Sequence, residues 1–520
     1  MEVTLLDVAV VLTCFALAVL VYASRSRTRH LHYPPGPAGL PLVGNVTLPQ
    51  HPIWEAVAHM SEQYGSDVIN ISMLGMNLVF LNSEEAADDL LEKRSSIYSD
   101  RPVDGMTMLK DLVGMGWAIP MLTYGHQWRG ARKAFQREFR ASTVGRFRPV
   151  QLNAARVLIK STLNDPESLM AHLRHAAGRV IMDIAYGIDV KEKNDHFVKI
   201  AEHALEGGID TGVPGTYLVD IFPFLRYVPE WIPGAGFKRK ARLYRESVMA
   251  MLHEPYNYVH GRMDQGIDVP DSAAKSLIEN EVGNAEDPEH TTRVCKAVLG
   301  SMYIAGSDTT VSAMKGFVLA MVLHPEVQIR AQQEIDRVCQ GRLPDFDDYD
   351  DLPYVHAMVK EVLRWCPTFA LNIPHKVMYD DIYKGYLIPK GSMVISNHWA
   401  MLYNPADYPD PHVFNPDRYL KYNANGSVEV NTDVRDPREI AFGFGRRKCP
   451  GRYMAYESVW IEMVNVLSSF TLSKKKDAQG RVITPPMDLA HGVITHLKPF
   501  PFHAELRSAR HGEMILNSFN

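Results

Sequence analysis

The stretch FGFGRRKCPG, Phe442 to Gly451, sets one of the chain's five cysteines between two glycines and directly after three basic residues. An apolar helical run begins where the stretch ends, from Gly451 to about Phe470. A thiol at the head of that helix meets positive potential from the backbone dipole and from Arg446, Arg447 and Lys448, so its pKa is expected to fall. Gly445 and Gly451 adopt backbone conformations that other residues resist and let a flat partner approach, while backbone N–H groups tune the sulfur.

That combination suits a thiolate ligand to haem iron. The alternative is a nucleophilic cysteine, which needs a base, and no histidine lies near Cys449 in sequence. Cys14, Cys295, Cys339 and Cys366 are widely spaced, with no C-x-x-C pair, so neither a disulfide framework nor a structural zinc site is suggested. They read as small buried hydrophobes in a reducing compartment.

At 520 residues, 46% hydrophobic and 22% charged, the chain is long enough for a substantial core. A net charge of −5 argues against nucleic acid as the main partner. Residues Val3 to Ala23 form an apolar run of bilayer length, broken only by Asp7, so residues 1–23 read as a transmembrane anchor. A cleaved signal peptide is the competing reading, disfavoured by Glu2 in place of a basic n-region and by the length of the run. Arg25, Arg27, Arg29 and His30 follow it and place the body in the cytosol with the N-terminus luminal. The N-x-S/T triplets at Asn45, Asn70 and Asn425 are then expected to be silent.

Residues 24–45 form a basic, then Pro/Gly-rich connector (HYPPGPAGLPLVGN) that proline keeps extended. The rest, 46–520, reads as one domain, mainly α with a minor β part. Arg293 to His324 is about nine turns of helix, apolar on nearly every side and stopped by Pro325. Its charges, Arg293, Lys296, Asp308 and Lys315, favour a buried helix over a second span. An amphipathic helix from Leu352 to Pro367 precedes short strands in NIPHKVMY, GYLIPKG and SMVISNHW.

Phe442, Gly445, Arg447, Cys449 and Gly451 match the F-x-x-G-x-R-x-C-x-G signature without departure, and the chain resembles the cytochromes P450, the haem-thiolate monooxygenases. Their remaining marks follow over nearly the whole length. The resemblance implies the P450 fold, with the long helix crossing over haem b and Cys449 as axial iron ligand. Glu361 and Arg364 are the E-x-x-R pair, joined by Arg418 of FNPDRY in a buried structural triad. In AGSDT, Gly306 would keep a space above the haem open, Thr309 would bond iron-bound dioxygen and Asp308 would relay protons. Trp128, Arg132, Arg447 and His375 would hold the haem propionates, a neutral strand histidine being the alternative for His375.

The reaction the resemblance implies is insertion of one atom of dioxygen into a substrate. Its electrons come from NADPH through a separate membrane-bound reductase, with cytochrome b5 as an optional second donor, and place the enzyme in the endoplasmic reticulum membrane. No dinucleotide-binding fingerprint is present in the chain itself. Arg129, Arg132, Lys133 and Arg137, with Arg446, Lys448 and Arg452, would attract an acidic reductase face.

Substrate contacts are expected from residues 101–124, 207–237, 369–374 and 491–495, with Met106, Met108, Leu112, Met115, Trp117, Ile119, Phe369, Ala370, Leu371 and Val493 as an apolar lining. The segment FPFLRYVPEWIPGAGFKRKARLY suits a second membrane contact, through which a hydrophobic substrate enters from lipid. Several stretches resemble microsomal enzymes of mushroom-type fungi that decorate secondary metabolites. A terpenoid is the first expectation for the substrate, then aromatic or indole compounds and fatty acyl chains. A haem-thiolate isomerase or dehydratase, or a haem-binding sensor, is the alternative of another class; the intact AGSDT segment favours oxygen activation.

Overall fold

The computed structural model describes residues 32–519, apart from 41–43, 46–47, 50–51, 74, 193, 213–215, 283–285, 424–427 and 491. The expected anchor, Cys14, the basic residues Arg25 to His30, Asn425 and His491 lie outside the described residues. Among those described, no helix is long and apolar enough to cross a membrane.

The described part of the Pro/Gly-rich stretch, 32–40 and 44–45, has no helix and is tied by backbone hydrogen bonds to the strand at Val68–Met73 and to Leu387. The Asn70 N–H donates to Pro35 O at 2.9 Å, Leu387 N–H to His32 O at 2.9 Å and Asn45 N–H to Ser72 O at 2.7 Å. After α1 (Ile53–Tyr64) come β1 (Val68–Met73) and β2 (Met76–Leu81), an antiparallel pair with Val68 opposite Leu81. The sheet is completed from far along the chain by β3 (His375–Lys376) and β4 (Met393–Ser396), in the order β1-β2-β4-β3. β4 runs parallel to β2, which places His375, paired with Val394, in the interior.

The helices that matter for the site are α2 (His126–Phe139), α3 (Arg148–Asn164), α4 (Leu169–Tyr186), α5 (His196–Thr211), α6 (Gly236–Asp264), α7 (Pro288–Leu323), α8 (Pro325–Cys339), α9 (Pro353–Trp365) and α10 (Arg452–Ser469). Short strand pairs follow α10: β5 (Phe470–Ser473) with β8 (His503–Leu506), and β6 (Leu489–Ala490) with β7 (His496–Leu497).

α7 is the long helix expected around 293–324. The Asp287 side chain caps it by accepting the His290 N–H, Pro288 starts the first turn where its missing N–H costs nothing, and Pro325 follows its end. α7 packs against α2, α4, α6, α9 and α10. Its N-terminal half, with Val298, Leu299 and Met302, belongs to one apolar body built with α2, α4 and α6. Its C-terminal half, with Met314, Phe317 and Met321, belongs to a second body built with α9 and α10. Residues 304–310 span the gap between the two, and the cavity opens there.

Candidate active site

The Cys449 loop is held by backbone geometry. Gly443 and Gly445 have φ of +74° and +58°, in the left-handed region that side chains resist. A Cβ on Gly445 would also lie 1.9 Å from the Leu91 carbonyl oxygen. The Gly445 N–H donates to the Glu92 carboxylate at 2.8 Å and the Cys449 N–H to Phe442 O at 2.8 Å, which closes the loop. Gly451 caps α10 with an ordinary φ of −88°, so its expected backbone role is absent; a Cβ there would point into open space.

Burial pushes the Cys449 thiol up, against a hydrogen bond from the Gly451 backbone and the charges of Arg132 and Arg452. The expected fall is therefore overturned in the protein alone, because two of the three flanking cations face elsewhere. Arg446 bonds the Tyr124 hydroxyl. Arg447 donates to Ser99 O and Leu122 O, both at 2.8 Å, and lies 4.4 Å over the Trp128 ring. A cation bound to the sulfur would supply the charge that ionises it, since metal coordination deprotonates a thiol outright.

Cys449 opens into a cavity of about 380 Å³ that it shares with Phe442, Trp128 and Thr309. Arg101, Arg132 and Arg447 also line it. Among the described residues none of the three guanidinium groups forms an ion pair with a carboxylate; each donates to backbone carbonyls. Arg101 bonds Ile373 O and Pro374 O, both at 2.7 Å, and Arg132 bonds Lys448 O. The Nε atoms of Arg101 and Arg132 and the Nε2 of His375 are buried with no hydrogen-bond partner. His375 is fixed through Nδ1, 2.7 Å from Tyr98 O. Burial holds Arg101 and His375 well below their ordinary values and brings Arg132 and Arg447 down to about 10. Buried cations without anions are unstable unless a ligand brings the negative charge.

A sequence model of the family Cytochrome P450 matches residues 34–501. The chain belongs to the cytochrome P450 family. It is 39% identical to cytochrome P450 monooxygenase ple1 of Rhodocybe pseudopiperita, over 97% of this chain and 95% of that one. It is 39% identical to tryptamine 4-monooxygenase of Psilocybe cyanescens over 92% and 94%, and 39% identical to cytochrome P450 monooxygenase COX2 of Coprinopsis cinerea over 96% and 94%. As a P450 monooxygenase it uses haem b with a cysteine thiolate on iron, and electrons from NADPH through a reductase.

The residues present fit that cofactor. The unpaired nitrogens of Arg101, Arg132 and His375 suit two carboxylates, the open space beside Gly451 suits a planar ring, and the thiol reaches the same cavity. Arg101 was not singled out as a carboxylate ligand in the sequence; its neighbour Pro102 and the serines before it give a loop, with nothing to mark a buried guanidinium.

Of the distal pair in this P450, Thr309 lines the cavity and donates its hydroxyl proton to Ala305 O at 2.7 Å. Asp308 lies outside the lining, buried against His496 and Arg174. Gly306 carries a packing contact as well as its place at the cavity. It lines the cavity, and a Cβ there would meet Ile181 of α4 at 2.7 Å, so the glycine also admits the neighbouring helix. Glu361, Arg364 and Arg418 do come together. Both Glu361 oxygens accept from Arg364 at 2.8 Å, and Arg418 Nε, the Asn415 N–H and the Tyr419 hydroxyl add bonds of 3.2, 2.8 and 3.2 Å.

The apolar lining is half as expected. Met106, Met115, Ile119, Phe369 and Val493 line the cavity, whereas Met108, Leu112, Trp117, Ala370 and Leu371 pack behind it. Trp117, for example, fills the notch at Gly300 of α7. Sequence reading missed Ile181, Leu205, Met302 and Met454, which also line the cavity. The basic face also needs correction: Arg132 is buried, and Arg137 is paired with Glu281 at 2.6 Å and Glu138 at 3.3 Å. Arg129, Lys133 and Arg446 remain exposed.

Proposed function

We propose that this P450 hydroxylates a hydrophobic, uncharged small molecule, a terpenoid first, in fungal secondary metabolism. The observation that carries the reading is Cys449 opening into one apolar cavity with Thr309 and three arginines that have no carboxylate partner among the described residues. Cys449 is the iron ligand, and Arg101, Arg132, Arg447, Trp128 and His375 hold the propionates. Haem bound to a thiolate supplies oxygen activation and O–O cleavage. The protein positions the substrate, excludes water and moves protons. Thr309, its own proton committed to Ala305 O, turns hydroxyl lone pairs to the cavity, and Asp308 stands behind it as the proton relay.

None of the described lining residues is Asp or Glu, so a protonated amine finds no counter-ion and an uncharged ligand meets a largely apolar wall that includes methionine, isoleucine and phenylalanine. An indole is the second reading, favoured by the name of the Psilocybe cyanescens relative.

A separate NADPH reductase docks through Arg129, Lys133 and Arg446, with cytochrome b5 as an alternative donor. Reversing these three charges is expected to slow the first electron transfer and flatten its salt dependence; unchanged reduction rates would remove this docking face. The anchor at 1–23 holds the enzyme in the endoplasmic reticulum membrane, N-terminus luminal. A second contact forms where Leu218, Phe224, Tyr227 and Trp231 are 67, 64, 73 and 82% exposed beside Arg226 and Lys238. Serine at Phe224, Tyr227 and Trp231 is expected to weaken uptake of substrate from vesicles, and equal uptake would refute the contact.

The test of the whole reading is the carbon monoxide difference spectrum of reduced wild type and Cys449→Ser. A strongly red-shifted Soret band lost in the variant is expected, followed by oxygen-dependent product from a terpenoid panel with reductase. Haem bound without that band overturns the assignment of Cys449.

A further inference from the structure

One short segment, Leu91 to Arg101, touches both the Cys449 loop and the cationic groups of the cavity. It starts in a wide helical turn, Asp88–Lys93, where the Arg94 N–H donates to Asp89 O, five residues back, at 3.1 Å. Turns of this width are rare and gather at functional sites. Two successive residues of the turn meet Gly445. The Glu92 carboxylate accepts the Gly445 N–H at 2.8 Å, and the Leu91 carbonyl oxygen fills the place a Cβ on Gly445 would need. Further along, Tyr98 O lies 2.7 Å from Nδ1 of His375, Ser99 O accepts from Arg447 Nε at 2.8 Å, and Arg101 is itself one of the cavity guanidinium groups.

The far side of the segment is fixed to the hairpin at 381–388. Arg94 and the Tyr98 hydroxyl donate to the Asp381 carboxylate at 2.8 and 2.9 Å, and the Tyr383 hydroxyl donates to Asp89 at 3.0 Å. Glu92 is exposed, yet the cations beside it turn elsewhere: Lys93 pairs with Asp88 and Asp89 at 3.0 and 2.9 Å, and Arg94 with Asp381. Its carboxylate instead holds a backbone amide 353 residues along the chain. That amide opens the tight turn Gly445–Arg447, beyond which the Lys448 N–H donates to Gly445 O at 3.0 Å and the Cys449 N–H to Phe442 O at 2.8 Å. The charge-assisted bond from Glu92 thus fixes one end of the loop and these two fix the other. The direction of the sulfur follows from both, and such outer contacts set how firmly a ligand holds its metal.

We propose that Glu92 is a positioning residue for the iron ligand: through the Gly445 N–H it keeps Cys449 in register with Arg101, Arg447 and His375, so that the sulfur holds its place when the iron is reduced. This rests on the assignment of Cys449 above. Reduction removes positive charge from the iron and weakens its attraction for a thiolate, so the reduced state depends most on a loop that does not shift.

The test uses full-length haem-loaded wild type, Glu92→Ala, Glu92→Gln and Asp88→Ala, each reduced with dithionite under carbon monoxide so that no partner protein takes part. The red-shifted Soret band of Glu92→Ala is expected to decay to an unshifted one about tenfold faster than that of wild type, the effect of losing a hydrogen bond to a charged group. Its ferric–ferrous midpoint potential should move as well. Glutamine keeps an acceptor oxygen and should return the decay to within about threefold of wild type. Asp88→Ala removes a neighbouring carboxylate that does not touch the loop, and should decay as wild type does. Wild-type decay and potential in Glu92→Ala overturn the proposal, as does a lower melting temperature with both unchanged, which would mark a purely structural contact. Glu92→Gln as labile as Glu92→Ala, or Asp88→Ala as labile as either, overturns it too, because charge and not the amide bond would then be responsible. Should Glu92→Ala take up no haem, Glu92→Asp keeps the charge on a side chain one methylene shorter, and wild-type decay in it overturns the proposal. Absence of the red-shifted band in wild type would instead overturn the assignment of Cys449, a distinguishable failure.

Discussion

Replacing Gly306 by alanine separates two accounts of the long helix. An alanine Cβ would meet Ile181 Cδ1 and Cγ1 at 2.7 Å and Cβ at 2.9 Å, and the last of these cannot swing away without moving α4. Overpacking of this kind costs about 1–3 kcal/mol. Alanine in a helix interior gains about 1 kcal/mol over glycine. The net effect in the wild-type background is a loss of up to about 2 kcal/mol. Ile181→Ala removes the obstacle at a cost of about 2–5 kcal/mol of its own. In that background the clash is gone and Gly306→Ala should be stabilising by about 1 kcal/mol, the helix gain alone. The sign therefore reverses between backgrounds. Thermal or urea unfolding of the four ferric proteins reads it directly, with imidazole binding measured alongside. The same sign in both backgrounds, or an unchanged melting temperature together with weakened imidazole binding, would refute packing against α4 and leave only the open space above the haem.

Glu361 is fully buried and compensates two guanidinium groups, so Glu361→Gln should cost about 3–5 kcal/mol and leave little haem-loaded protein. The ratio of carbon monoxide band to total protein checks this, and a wild-type ratio would contradict it. His356 carries a pH dependence of known sign. Burial brings its imidazole from 6.5 down to about 4. Between those values the unfolded chain binds a proton that the folded one refuses, so stability is full above about pH 6.5 and falls by about 3 kcal/mol as pH drops to about 4. His398, also brought to about 4 by burial, acts in the same direction. Unfolding of His356→Gln across pH 4–7 should show a smaller acid slope than wild type, with His398 and His375 keeping much of the rest, and an identical slope would dismiss the effect.

What could be read in advance follows from how far apart the cooperating residues lie in the chain. The Cys449 loop and the Glu361–Arg364 pair are local patterns, set by glycine geometry and by i, i+3 spacing, and both hold in the structure. The long helix was legible because its apolar run and its flanking prolines are local too. The thiol's protonation was misread because basic residues adjacent in sequence face different ways in space. Arg446 turns to Tyr124, Arg447 to Trp128, and burial then decides the sign. The cavity wall was half legible for the same reason. A methionine in a helix apolar on all sides carries no mark of which face meets the cavity, and packing against five helices, with close approaches at Gly300, Gly306 and Gly316, fixes the rotation of α7. That rotation places Thr309 at the cavity and Asp308 one residue away from it, against His496 and Arg174. The glycine notches therefore set more than helix packing: a rotation error of one residue in α7 would exchange the cavity-facing hydroxyl for the buried carboxylate.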